Sequence, residues 1–171
     1  MRILGVNLAE HGSICMLNDG QIELYHEAER ITRKKYDFRV EDLITEDLKP
    51  DAIAVVDCDY LFAKEGADKM MWTAKANSKI KRLFPDVPIH DFMKKHHLAH
   101  AACGYYRSDF LEAAVVVVDG VGSNGECESI YHVSHNEFTR VHKRVTKPDS
   151  VGFGKLFEVT AISMGWDHRE A

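Results

Sequence analysis

Leu111 to Asp119 carries the unbroken run Ala-Ala-Val-Val-Val-Val and then meets Gly120, Gly122 and Gly125. The run is strand-length rather than helix-length, and its β-branched residues suit a pleated, buried environment. It is expected to be a central strand that delivers Asp119 to a flexible glycine turn. Asp51 to Asp57, containing Ala-Ile-Ala-Val-Val, has the same character and is expected to be a buried strand parallel to its neighbour. Two such strands in a chain that also has helical patterns constrain the fold to the α/β class.

The rest of the pattern fits that class. Arg2–Asn7, Gly12–Leu17 and Gln21–Glu27 read as three strands, the last two joined by the turn Asn18-Asp19-Gly20. Val40 to Leu48 reads as a short helix stopped by Pro50. A longer helix is expected over Leu61 to Leu83, with Ala63, Ala67, Met70, Met71, Ala74 and Ile80 on one stripe. Ile89–Phe92 is expected as a short strand, His96–Tyr106 as a helix, Glu128–Val133 and Glu137–Val145 as antiparallel strands, and Phe153–Met164 as a last helix. A three-strand opening thus occurs twice, near residues 2–28 and 113–145. Two such lobes describe an actin-like, sugar-kinase-like ATPase fold, with residues 1–110 as the first lobe and 111–171 as an unfinished start of the second.

The chain has 45% hydrophobic residues, enough for a core, and a formal charge of −5. That balance argues against a general nucleic-acid binder, which needs clustered Lys and Arg. Cys15, Cys58, Cys103 and Cys127 form no C-x-x-C pair and read as free thiols of a reducing cytoplasm. No apolar run approaches the ~18 residues of a membrane span, so a soluble, cytoplasmic protein is expected.

Chemistry concentrates in Lys95-His96-His97-Leu98-Ala99-His100-Ala101-Ala102. On a helix, His96 and His100 share a face and can grip one metal ion; the competing reading is a pair of exposed histidines without a ligand. Small residues beside them permit close approach. His97 stands where the H-E-x-x-H peptidases carry glutamate, so peptidase chemistry is disfavoured, and His97 is expected to pack or hydrogen-bond behind the ligands. Asp119 can add a carboxylate. Gly120 and Gly122 allow backbone to approach a phosphate, although an Asp before glycine also simply caps turns. His11, in the first turn, can serve as general base toward an acceptor hydroxyl or be a plain surface residue. Arg30 and Lys35 lie in a dense charged run that is either a solvated face or an anion contact.

Several of these segments resemble the O-carbamoyltransferases of the nodulation and antibiotic-tailoring type. They are Ile3-Leu4-Gly5-Val6-Asn7 with His11, Asn18-Asp19-Gly20, Glu27 to Lys35, His96 to Ala102, Tyr105-Tyr106, Val117 to Gly122, Ser150 to Phe153 and Met164-Gly165. The resemblance implies an actin-like domain similar to that of tRNA threonylcarbamoyl-transferases, holding ATP and a divalent metal, most simply iron. It implies transfer of a carbamoyl group from carbamoyl-adenylate, made from carbamoyl phosphate and ATP by a YrdC-like domain further toward the C-terminus, to a hydroxyl-bearing small molecule. By residue matching, His96, His100 and Asp119 look like metal ligands, His11 like the base, and Lys35 like a contact to the carbamoyl group or phosphate. Gly120, Gly122 and Arg30 look like cofactor contacts. The later acidic ligand, adenine-side motifs and YrdC-like domain of that family are absent from these residues, so this chain alone is not expected to complete catalysis. Three other readings stand beside this one. They are a tRNA threonylcarbamoyl-transferase-like protein, whose relatives lack the Glu-Arg-x-Thr-Arg-Lys-Lys run, a non-catalytic nucleotide- or metal-binding module, and a sugar-kinase-like phosphotransferase.

Overall fold

A computed structural model describes residues 1–9, 11–35, 37–57, 62–147 and 152–166, with backbone only for 62–69. Cys58, Leu61 and Ser150, named above, and Glu10, Val151 and His168 lie outside the described residues. The fold is mixed α/β, and the chain divides into two compact units, Met1–Lys94 and Lys95–Ala171. This division falls ahead of the histidine helix, not after it at residue 110.

The first unit is built on a five-stranded sheet of order β3-β2-β1-β4-β5. β1 (Arg2–Asn7), β2 (Ser13–Asn18) and β3 (Gln21–Glu27) form an antiparallel meander, and β4 (Ala52–Val56) and β5 (Ile89–Asp91) add in parallel beside β1. This sheet is consistent with the expected actin-like lobe. The β2–β3 hairpin turns through Asp19 (φ 48°) and Gly20 (φ 83°), both left-handed as a tight hairpin requires. Alternation along the strands sends Leu4, Val6, Ile14, Met16, Ile53 and Val55 into one core.

Two expected elements differ. Val40–Leu48 is not one helix but two short 3₁₀ turns, Val40–Leu43 and Glu46–Leu48, broken by extended Ile44 and Thr45. Burying Val40, Leu43, Ile44 and Leu48 together wins over continuous helical hydrogen bonding, which a segment this short supports poorly. The long helix α2 (Phe62–Leu83), which follows α1 (Ala28–Thr32), turns a different face inward: Ala76 and Ile80 are buried, whereas Met70, Met71 and Ala74 are exposed. Ile80 sets the phase, and Met71 falls half a turn away from it. Ala63 and Ala67 are among the residues whose side chains are not described.

The second unit holds α3 (His96–Tyr106), an antiparallel sheet of order β6-β7-β8 and α4 (Phe153–Ser163). Its strands are β6 (Glu112–Val118), β7 (Glu126–Ser134) and β8 (Glu137–Val145). β6 was expected to be central. Among the described residues it pairs with β7 alone and is an edge, with Val116 and Val118 exposed. No helix of the described residues is long and apolar enough to cross a membrane.

Asp37 is a buried charge on which the first unit leans. Its carboxylate takes a forked bond from Arg39, at 3.0 and 2.7 Å, and its carbonyl accepts the Gly12 N–H. Gly12 must be glycine here, because a Cβ would sit 2.9 Å from the Phe38 backbone. Burial pushes the Asp37 carboxyl up, but the Arg39 and Thr32 hydrogen bonds outweigh it and hold the group down at about 2. A depressed carboxyl stabilises the fold above its ordinary value and loses that contribution as pH falls through the depressed one. Asp37→Asn is therefore expected to cost about 2 kcal/mol at neutral pH. Urea titrations should show the gap from the parent chain closing as pH falls from 3.8 toward about 2.

Candidate metal centre

Three buried residues one turn apart, His97, Ala101 and Tyr105, make the inner stripe of α3. Ala101 and Tyr105 pack with Val117, Tyr131 and Val133 of the sheet, and the Tyr105 hydroxyl donates to the Leu111 carbonyl at 3.0 Å. This stripe fixes the rotation of the helix. His96 and His100 lie one step round from it, and both face the end of β6.

Asp119 waits there. Its own N–H donates to the Cys127 carbonyl at 2.9 Å, which continues the sheet ladder one residue past β6. Its Oδ1 accepts the Gly120 N–H at 2.7 Å, and its Oδ2 lies 2.8 Å from His96 Nε2. His100 Nε2 lies 3.0 Å from His96 Nε2 and 3.8 Å from the same Oδ2. One ligand atom from each of His96, His100 and Asp119 thus falls within 4.8 Å of the others. A cation among them would replace the His96–Asp119 hydrogen bond and the close imidazole pair with coordination bonds. Two imidazoles and a carboxylate suit iron, zinc or manganese.

Charge in the cluster is set by its own members. Burial pushes the Asp119 carboxyl up, but the hydrogen bond from His96, the charges of His96 and His100 and the Gly120 N–H outweigh it and hold the group below its ordinary value. Burial first, and the neighbouring His96 second, push the His100 imidazole down. His97 is also pushed down by burial, against the pull of Glu126 and Asp119. A His100 imidazole pushed toward its neutral form beside a carboxyl held toward its ionised form favours metal binding.

Two glycines let these groups meet. A Cβ on Gly122 would lie 2.9 Å from Cδ2 of both His96 and His97. A Cβ on Gly154, in the first turn of α4, would lie 2.5 Å from the Asp119 carbonyl carbon. Gly122, expected as a cofactor contact, therefore has a packing duty against the imidazoles, while a Cβ on Gly120 would meet nothing within 4 Å.

Sequence reasoning missed Glu126, Ser129 and Gly154. Glu126 and Ser129 are three apart, which on a regular strand places them on opposite faces. A β-bulge between Glu126 and Glu128 shifts the register and buries both. The available signal was Ser129 on the same strand face as Tyr131 and Val133, a polar residue in an apolar row.

His11, Arg30 and Lys35 belong to the first unit. His11 has φ 59° and its Nδ1 lies 3.4 Å from Glu29 Oε2. Arg30 is largely exposed and paired with Glu27 at 3.2 Å and Glu29 at 3.9 Å. Lys35 is exposed in the turn after α1.

No protein-family model matches the chain. Among solved structures it is similar to YeaZ from Pseudomonas aeruginosa, with 19% sequence identity and a TM-score of 0.46 over 88% of this chain and 71% of that one.

Gly122 has φ −100° and ψ −165°, open to any residue, so Gly122→Ala tests packing alone. Of the two rings it meets, His96 is hydrogen-bonded to Asp119 and His97 to Ser129, so neither yields without loosening a bond. The variant is expected to lose about 1–3 kcal/mol of stability in urea titrations, with weakened binding of added Zn²⁺ by calorimetry.

Proposed function

We propose that this chain supplies the metal centre of a carbamoyl-type transferase, with His96, His100 and Asp119 as the ligands of a divalent cation, iron being the first candidate. The observation that carries the proposal is the convergence of two histidines of α3 with Asp119 at the end of β6, the carboxyl held below its ordinary value and His100 pushed toward its neutral form by burial. The sequence resemblance adds the reaction class: a carbamoyl group passed from carbamoyl-adenylate, formed from carbamoyl phosphate and ATP, to an acceptor hydroxyl. When bound, the cation supplies a positive charge that orients phosphate and stabilises the departing AMP.

The chain's own residues would do the rest. Asp119 holds its carboxylate ready through the Gly120 N–H. Gly120 leaves open backbone beside it. His11 would accept the proton of the acceptor hydroxyl, its partner Glu29 orienting the imidazole. Lys35 would contact the carbamoyl oxygen or a phosphate, and Arg30 the nucleotide. The remaining partners on this reading are the YrdC-like domain that makes the adenylate and a small hydroxyl-bearing acceptor, in the cytoplasm.

A second reading, a tRNA threonylcarbamoyl-transferase-like protein, gains from one observation. The charged run that favoured O-carbamoyl transfer is largely a solvated surface, with Arg30 tied to Glu27 and Glu29. The two readings share the centre and differ in the acyl donor.

His96→Ala and His100→Ala are each expected to abolish tight binding of Fe²⁺ or Zn²⁺, read by calorimetry and by metal content; full occupancy in either variant would reject the ligand set. His11→Asn is expected to keep the metal and lose at least about 100-fold in transfer from carbamoyl-adenylate. Product formed instead from threonylcarbamoyl-adenylate would select the second reading.

A further inference from the structure

Among the described residues His97 is the most deeply buried histidine of the second unit, and it is not one of the three ligands proposed above. Its Nδ1 lies 2.9 Å from the Ser129 hydroxyl, itself fully buried. That hydroxyl lies in close contact with Glu126 Oε1. Arg140 Nη1, at 3.3 Å, and Lys143 Nζ, at 3.6 Å, flank the Glu126 carboxyl.

The protons along this row can be counted. Glu126, flanked by two cations, accepts from Ser129. The single Ser129 proton must therefore go to Glu126. Ser129 then has only a lone pair to offer His97, so Nδ1 must carry a hydrogen and donate it. A neutral imidazole protonated on Nδ1 has a bare lone pair on Nε2.

That Nε2 is buried and has no hydrogen-bond partner among the described residues. It lies 3.9 Å from Asp119 Oδ2, so the Nε2 atoms of all three histidines lie within 3.9 Å of one carboxylate oxygen. A bare lone pair 3.9 Å from a carboxylate oxygen is repelled by it, and an unpaired buried acceptor is costly. A cation, or a water that a cation carries, would relieve both.

The geometry points to His97 as a further donor of the centre, its Nε2 lone pair directed at the cation or at the cation's water by the buried row Glu126–Ser129. The inference rests on the centre proposed above and extends it from three side chains to four. Ser129 and Glu126 are positioning residues: they touch neither the cation nor a substrate, and they act by fixing which nitrogen of His97 is bare.

The tautomer is read first, on the metal-free chain, from long-range ¹H–¹⁵N correlations of the histidine rings. Protonation on Nδ1 is expected for His97; a hydrogen on Nε2 overturns the inference. Zn²⁺ is then added. A large shift of the His97 Nε2 resonance marks direct coordination and a small one a bridging water, both in accord with the inference, and no shift overturns it. His97→Asn keeps an N–H where Nδ1 was and removes Nε2, so the bond to Ser129 can persist. This variant, and Ser129→Ala, are expected to weaken Zn²⁺ binding about 10- to 100-fold in calorimetry with the circular dichroism spectrum unchanged. Parent-like affinity in His97→Asn overturns the part given to His97 and leaves the three-ligand centre standing. Absence of Zn²⁺ binding by the parent chain overturns the centre itself.

Discussion

Asp119 Oδ2 is the point on which the second unit turns. One imidazole nitrogen bonds it at 2.8 Å and two more approach to 3.8 and 3.9 Å. A carboxylate can hold that place only if its backbone is fixed, and it is, by the ladder bond to Cys127 on one side and the close packing of Gly154 on the other. Asp119 is thus a rigid oxygen donor set by the sheet, and the helix histidines are brought to it.

The helix is placed by apolar contact and used through its polar edge. Ala101 and Tyr105 dock α3 on β6 and β7, and the loss of either contact would rotate or lift the histidines. His97 belongs to the same inner stripe, where a leucine would fill the space more cheaply. A buried imidazole held by a serine and a carboxylate carries a cost in desolvation, which its bond to Ser129 offsets only in part.

The first unit shows a different economy. His11 adopts a left-handed backbone, unfavourable for a residue with a Cβ by about 1 kcal/mol. The Asn7 side chain braces that loop at both ends, its Nδ2 donating to the His11 carbonyl at 3.2 Å and its Oδ1 accepting the Ala9 N–H at 3.0 Å. Arg30, by contrast, is satisfied by its own neighbours on an exposed face.

Much of this was legible in the order of residues. Apolar runs marked β4 and β6, Asp19-Gly20 marked the hairpin turn, and the four-residue spacing of His96 and His100 put both on one helix face, because strand and helix periods are local properties. Tertiary packing decided the rest. It broke Val40–Leu48 into two turns to bury four apolar side chains, chose Ala76 and Ile80 over the methionines as the inner face of α2, and left β6 on an edge although its composition is that of a central strand. The same holds at the centre. Sequence named His96, His100 and Asp119 because each sits in a conspicuous local pattern. Glu126 and Ser129 came to His97 only through a β-bulge, and Gly122 and Gly154 matter only for what lies across from them. Spacing along a chain fixes which face a side chain takes, whereas its partners depend on register and close approach between elements distant in sequence.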